Sequence, residues 1–302
     1  MNSLDVFEAQ RSHLLGIAYR MLGEMGAAED VAQEAWLRWQ RADGIRDPKA
    51  FLSAVTVRLS LDALRKARAR RETYVGPWLP EPLMPDDMRA LATDAPAARA
   101  ELASDLSLAL LHVLERLSPE ERAALILHDA FDCDYDVIAQ TLEKNEAACR
   151  KLVSRARERV KADRPRHTVT TQHHRELVSK FVAAAATNNL DQLTSLLAHD
   201  VVLYSDGGGK AAAALNPIYG ADHVLRFATG VMRKFGPADG FTLEPTEING
   251  APGFLLRTTE GLHSALTMEF DGDKISAIYL LRNPDKLSRI NPRPSPLSSP
   301  SA

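Results

Sequence analysis

Cysteine is scarce in this 302-residue chain, which carries only Cys133 and Cys149. That pair offers neither a disulfide framework nor a metal-ligand spacing, so both are expected to pack as small side chains in helices, and no metal or cofactor is expected. Long apolar runs are missing too: nothing approaches the roughly 18 consecutive apolar residues of a membrane span. The start, Met1-Asn2-Ser3-Leu4-Asp5-Val6-Phe7-Glu8, lacks the basic stretch and apolar run of a secretory leader, which points to a cytoplasmic protein without a membrane partner. Aromatics make up 6% and the net charge is only −3, which taken alone speaks against a nucleic-acid binder. What is present, 45% hydrophobic and 25% charged residues, suits a globular chain of two or three domains.

The small net charge conceals segregation. Residues 106 to 143 hold eight acidic and two basic side chains, whereas 144 to 166 hold nine basic and three acidic. The sign changes at one helix boundary. Two solvated helix faces of opposite sign would give this shift, and so would a nucleic-acid-binding helix beside an acidic support.

Helical periodicity without strand-like alternation runs from about Val6 to Lys66, resumes at Leu102 and continues to Lys161, so the first half reads as all-α. Between these blocks lies Gly76-Pro77-Trp78-Leu79-Pro80-Glu81-Pro82-Leu83-Met84-Pro85, too rich in proline for a continuous helix. It opens a linker over 76–105 that carries six acids and two bases. After Gln172 the pattern turns to α+β. Helices are expected at 172–187, 190–197 and 221–234, with an apolar run at Val201–Tyr204. Strands are expected at Phe241–Ile248, Phe254–Thr259, Leu262–Phe270 and Lys274–Arg282. Asn249-Gly250 and Asp271-Gly272 are hairpin signals, because both residue types accept the positive φ such turns require. The tail from Asn291, rich in proline and serine, cannot bury a core.

Leu117-Ser118-Pro119-Glu120-Glu121-Arg122 places serine at a helix N-cap, proline in the first helical position and acids in the first turn. A second helix over Tyr135–Leu142, the break Glu143-Lys144-Asn145 and a third helix capped by Asn145 give helix-turn-helix spacing. In the third helix Cys149, Leu152, Val153, Ala156 and Val160 form one apolar stripe, while Arg150, Lys151, Ser154, Arg155 and Arg157 occupy the other side. A DNA-reading helix needs that division; an ordinary amphipathic surface helix shows it as well. Residues 51–71 repeat the theme, with Leu52, Val55, Leu59 and Ala63 inside and Arg58, Asp62, Arg65 and Lys66 outside, ending in the phosphate-suited cluster around Arg68. Asp30, Gln33, Glu34 and Leu37 share one helix face that suits protein docking. Trp36 and Trp39 could stack on unpaired bases or pack in a core.

Taken in order, Ala28-Glu29-Asp30-Val31-Ala32-Gln33-Glu34-Ala35-Trp36, Phe51-Leu52 to Leu64-Arg65-Lys66, Leu117-Ser118-Pro119-Glu120-Glu121-Arg122 and Ala148-Cys149-Arg150-Lys151-Leu152-Val153-Ser154-Arg155-Ala156-Arg157 resemble the extracytoplasmic-function sigma factors over residues 1 to about 162. That resemblance implies that Asp30, Gln33, Glu34 and Leu37 dock on the β′ clamp helices of RNA polymerase, which also engages the chain through its β subunit. It implies that residues 45–71 read the −10 promoter element and the helix after Asn145 the −35 element. Glu143-Lys144 departs from the glycine and apolar residue usual in the turn, which leaves the turn geometry open.

The remaining 140 or so residues resemble a SnoaL-like domain. Trp78-Leu79-Pro80-Glu81-Pro82, Asp206-Gly207-Gly208-Gly209-Lys210 and Asn283-Pro284-Asp285-Lys286-Leu287 resemble the SigJ-like subgroup that carries this extension. The resemblance implies regulation of the sigma portion in cis. The expected fold class is thus multidomain: two all-α sigma domains, the second a helix-turn-helix, then an α+β SnoaL-like cone with a curved, mainly antiparallel sheet. The expected boundaries are 1–75, 76–105, 106–164, 170–290 and a tail at 291–302. Three alternatives remain. A small effector could bind in the SnoaL-like cavity, or that domain could be an enzyme using Tyr204, Asp206, Asp222, His223 or His263, although a sigma subunit needs no catalysis of its own. The whole chain could also be a stand-alone promoter-binding regulator.

Overall fold

The computed structural model describes residues 3–71, 73–91, 102, 103, 105–163, 170–187, 189–234 and 242–290. The expected tail at 291–302 lies outside the described residues. The chain divides into two compact units, one formed by residues 1–74, 79–166 and 249–251, the other by 75–78, 167–248 and 252–302.

The first unit is helical. It comprises α1 (Ser3–Glu8), α2 (Arg11–Leu22), α3 (Met25–Gln40), α4 (Pro48–Arg71) and α5 (Pro85–Leu91). Then come α6 (Leu108–Leu114), α7 (Pro119–Leu125), a π-helical turn at Ile126–Ala130, α8 (Tyr135–Leu142) and α9 (Glu146–Asp163). Ser118 caps α7 as expected: its Oγ accepts from Glu121 N at 3.2 Å and the Glu121 carboxylate accepts from Ser118 N at 2.9 Å, so two orphan amides are satisfied reciprocally. Glu143 ends α8 with φ 55°, the left-handed conformation in which glycine is the least strained residue. The turn keeps its geometry without the glycine. The continuous periodicity from Val6 resolves into four helices, broken at Gly23, which takes the left-handed cap of α2, and ahead of Pro48.

One apolar core runs through both helical blocks. Ile17 and Met21 of α2, Val31 of α3 and Leu61 and Leu64 of α4 belong to the same buried cluster as Leu111, Ala123, Ile138, Cys149 and Val153. Helix α4 is buried over more than its expected stripe, since Thr56, Val57, Ser60 and Leu64 are enclosed along with Leu52 and Val55.

The second unit holds α10 (Thr171–Ala186), α11 (Leu190–Leu196), α12 (Ala221–Lys234) and the four-residue α13 (Pro284–Leu287). Its strands are β1 (Leu197–Asp206), β2 (Ile218–Tyr219), β3 (Thr242–Ile248), β4 (Ala251–Thr258), β5 (Gly261–Asp271) and β6 (Lys274–Leu281). They form one open sheet in the order β2-β1-β6-β5-β4-β3. The β1–β6 pair is parallel, whereas β1–β2, β4–β5 and β5–β6 are antiparallel. Leu177 and Val178 of α10, Leu196 of α11 and Val224 of α12 cover Val201, Phe254, Met268 and Ile278 of the sheet. The expected α+β class and helical first half are therefore both present. β2 and α13 are too short to leave a periodic signal.

Candidate nucleic-acid interface

The outer face of α9 starts from its cap. Asn145 Oδ1 accepts from Ala148 N at 2.8 Å, and Cys149, Val153, Ala156 and Val160 are buried beneath the helix. Arg150, Lys151, Ser154, Arg155 and Arg157 are exposed on the opposite side. Two of these cations already have partners. Arg150 donates to Glu146 at 2.7 Å and lies 4.9 Å above the Tyr135 ring. Arg157 donates to both carboxylate oxygens of Asp129, at 3.0 and 2.5 Å, and touches His128. Burial tends to raise the Asp129 carboxyl, but the hydrogen bonds from Arg157 and His128 outweigh it and hold the group below the usual carboxylate range. Arg155 and Lys151 remain exposed beside them.

Helix α4 carries the second basic set. Arg58 donates from Nε to Thr141 O at 3.1 Å and from Nη2 to Gln140 O at 2.9 Å, and Glu143 lies 3.6 Å away. Those carbonyls belong to the last turn of α8, the negative end of its dipole. Arg65 sits between Asp62 at 3.4 Å and Glu120 at 3.5 Å, and Glu120 also meets Lys144 at 3.1 Å. Lys66 is exposed; the side chain of Arg68 lies outside the described residues. On α3, Asp30, Gln33 and Leu37 are exposed, and the half-exposed Glu34 pairs with Arg38 at 3.2 Å. Trp36 and Trp39 pack with Phe7, Leu14, Leu52 and Phe51, and Trp39 Nε1 donates to Ser3 O at 3.1 Å, so both serve the core.

Within the second unit the three remaining motifs meet. Lys286 Nζ lies 2.7 Å from the fully buried Asp206 carboxylate and 4.1 Å from the centre of the Trp78 ring. The Asp206 carbonyl accepts from Arg282 N and Asn283 N, at 2.7 and 2.9 Å. Asn283 caps α13 through Asp285 N at 3.0 Å, and Lys210 pairs with Asp285. Gly207 has no room for a Cβ, which would run into the Ala211 carbonyl and the Ala213 methyl, and Gly209 lies against Val75. Gly208 sits at φ 59°, Pro284 occupies the first turn of α13, and Leu287 is buried.

The rest of the linker motif is fixed in the first unit, where Leu79, Pro80, Glu81 and Pro82 are buried. The Glu81 carboxylate accepts from Met25 N at 2.6 Å, and its carbonyl accepts from Tyr19 Oη at 2.6 Å. Asn249 belongs to this same unit. Its amide donates to Tyr19 Oη at 2.9 Å and to Leu106 O at 2.8 Å, while its Oδ1 accepts from Leu83 N at 2.9 Å. Burial pushes the Tyr19 hydroxyl far above the ordinary phenol value, so it stays a donor. The sequence marked Asn249 only as a turn residue, and nothing in the periodicity singled out Tyr19.

The five candidate proton-transfer residues have separate surroundings. Tyr204 stacks on Tyr279 with ring centres 5.6 Å apart, and Asp206 is held by Lys286. Asp222 is exposed and His223 faces the Tyr219 carbonyl at 3.0 Å. His263 contacts Arg282 at 2.6 Å, and burial together with that guanidinium lowers its pKa. No cluster of three or more metal-ligating side chains occurs among the described residues, and no described helix is long and apolar enough to cross a membrane.

The Sigma-70 region 2 family matches residues 6–70, and the Sigma-70 region 4 family matches 107–160. The chain is 40% identical over 293 residues to the ECF RNA polymerase sigma factor SigJ of Mycobacterium tuberculosis, covering 93% of this chain and 92% of that one. The chain belongs to the extracytoplasmic-function sigma factors. The probable ECF sigma factor SigI of the same organism is 32% identical, with 93% of both chains covered. The crystal structure of M. tuberculosis SigJ superposes with a TM-score of 0.76 at 36% identity, over 94% of this chain and 98% of that one. As an extracytoplasmic-function sigma factor, the protein directs core RNA polymerase to promoter DNA. A sigma subunit contributes promoter recognition and no catalysis of its own.

Proposed function

We propose that this sigma factor rests in a closed state in which its two DNA-reading units hold each other, and that its C-terminal domain governs release in cis. The observation that carries this reading is Arg58. Its guanidinium is engaged with the last carbonyls of α8, so a cation placed to meet the promoter is bound to the helix-turn-helix. Elements at −35 and −10 are about 25 base pairs apart, about 85 Å of B-DNA. Two units bound directly to each other cannot span that distance and read both. Release must therefore accompany promoter binding.

The roles follow the expected division at 1–75, 76–105, 106–164 and 170–290. Asp30, Gln33, Glu34 and Leu37 meet the β′ clamp helices, with the β subunit completing the docking. Arg58, Asp62, Arg65, Lys66 and Arg68 serve the −10 element, and Arg150, Lys151, Ser154, Arg155 and Arg157 the −35 element. The clasp of Trp78, Asp206, Lys210, Asn283 and Lys286 fixes where the linker enters, and a small effector in the C-terminal domain would act through it. The separate surroundings of Tyr204, Asp222 and His263 favour regulation over catalysis there, and the protein works in the cytoplasm, where its polymerase is.

Run-off transcription with core polymerase tests the closed state. Glu120→Arg removes a partner of Arg65 and Lys144 while every proposed DNA-contacting side chain stays in place. Transcription from a cognate promoter should rise several-fold; unchanged output at unchanged stability would refute the closed state.

A further inference from the structure

The helical unit contains a cleft of about 300 Å³, whose lining shares only Arg157 with the proposed DNA contacts. Its wall is apolar where Leu110, Leu114, Leu125, Ile126 and Val160 line it, and charged where Arg20, Asp105, Asp129, Arg157 and Lys161 do. Such a volume lies at the small end of ligand pockets, and an apolar wall with a few converging polar groups is their usual composition. Asp129 and Arg157 neutralise each other across two hydrogen bonds. That leaves Arg20 and Lys161 facing Asp105 alone, an excess of one positive charge.

Arg20 is the informative group. Its side chain is only 6% exposed, and its guanidinium lies 5.0 Å above the Phe131 ring. Nη1 donates to Gly16 O at 3.2 Å, Nη2 lies 3.6 Å from Asp105, and Nε meets no acceptor. A buried charged donor without an acceptor is costly and rare, and the Arg20 side chain that carries it also lines the apolar cleft. We infer that this cleft is a binding site for a small amphipathic monoanion, a carboxylate or sulfonate on a compact apolar body. The anionic head is held by the net positive charge of Arg20 and Lys161, and the body lies on the leucines. A cation would face the excess positive charge, and a neutral apolar molecule would leave that charge uncompensated. Because the walls come from α2 on one side and from α6, α7 and α9 on the other, an occupant ties regions 2 and 4 together. That transcriptional consequence rests on the closed state proposed above; binding itself does not.

The test is a fluorescence titration of the full-length protein with 8-anilinonaphthalene-1-sulfonate, paired with the neutral N-phenyl-1-naphthylamine, which lacks the sulfonate. Wild type should show a saturable site for the sulfonate. Leu110→Trp, which fills the cleft, should weaken both dyes by about tenfold. Lys161→Glu, at an exposed position, should weaken the sulfonate by about tenfold while the neutral dye stays within about twofold, and Lys161→Arg should retain sulfonate binding. No saturable binding, or sulfonate affinity unchanged in both Leu110→Trp and Lys161→Glu, overturns the site. Run-off transcription with the sulfonate present separates the two ideas. Inhibition lost in Leu110→Trp supports both, whereas dye binding that follows the variants without any effect on transcription upholds the site and refutes the closed state.

Discussion

Among single residues, Lys286 is the most consequential charge in the C-terminal unit, because its partner Asp206 is fully enclosed. Removing one member of a buried pair strands the other, at a cost of about 3–5 kcal/mol. Lys286→Ala should lower stability by about that amount in urea titration, whereas the exposed Lys210→Ala should change it by less than about 1 kcal/mol. Two half-buried histidines predict a pH dependence. Burial lowers His13 and His174 from 6.5 to about 4, and for His13 the charges of Lys49 and Arg20 add to it. Their folded pKa values lie below the unfolded value, so their stabilisation is complete above pH 6.5 and is lost as pH falls towards 4. Both are partly exposed, so about 1 kcal/mol each is a realistic loss after solvent screening. Thermal unfolding between pH 7 and pH 4 should show it, and His174→Phe should flatten the profile.

Individual elements show what the sequence could and could not reveal. Helices α7 and α9 were legible because each announces its start with a side-chain cap and then keeps one apolar stripe, and α8 followed from the spacing between them. Ser118→Ala should therefore cost about 1 kcal/mol by denaturant titration, through the capping box. Glu143 was legible as an oddity, and its left-handed backbone explains it: Glu143→Gly should relieve strain by roughly 0.5–1 kcal/mol while giving up a weak contact to Arg58. The burial of α4 was less legible. Its pattern showed one stripe, but Thr56 and Ser60 are enclosed too, since the helix packs against neighbours on more than one side. Periodicity reports one buried face well and two faces poorly. The three linker, loop and C-terminal motifs stood out as motifs, yet the pairing of Lys286 with both Asp206 and Trp78 needed the folded chain, because it joins segments far apart in sequence.

At the scale of the whole molecule, a sigma factor and a stand-alone regulator differ in what they need for DNA binding. Asp30→Arg with Glu34→Arg should abolish core-dependent transcription while leaving thermal stability near wild type, as measured by run-off assay and calorimetry. Truncation near Pro165 should change promoter-dependent output, but that experiment carries a complication. Asn249 is a member of the helical unit, and Val75–Trp78 are members of the other, so each unit is completed by a short piece of chain lying far from the rest of it in sequence. Cutting after Pro165 thus strips Tyr19, Leu83 N and Leu106 O of a buried partner, each loss worth about 1–3 kcal/mol. Subtraction is not available in a polypeptide whose parts lend one another residues. A shortened protein here is a damaged one, and Asn249→Ala in the intact chain is the comparison that tells lost regulation from lost integrity.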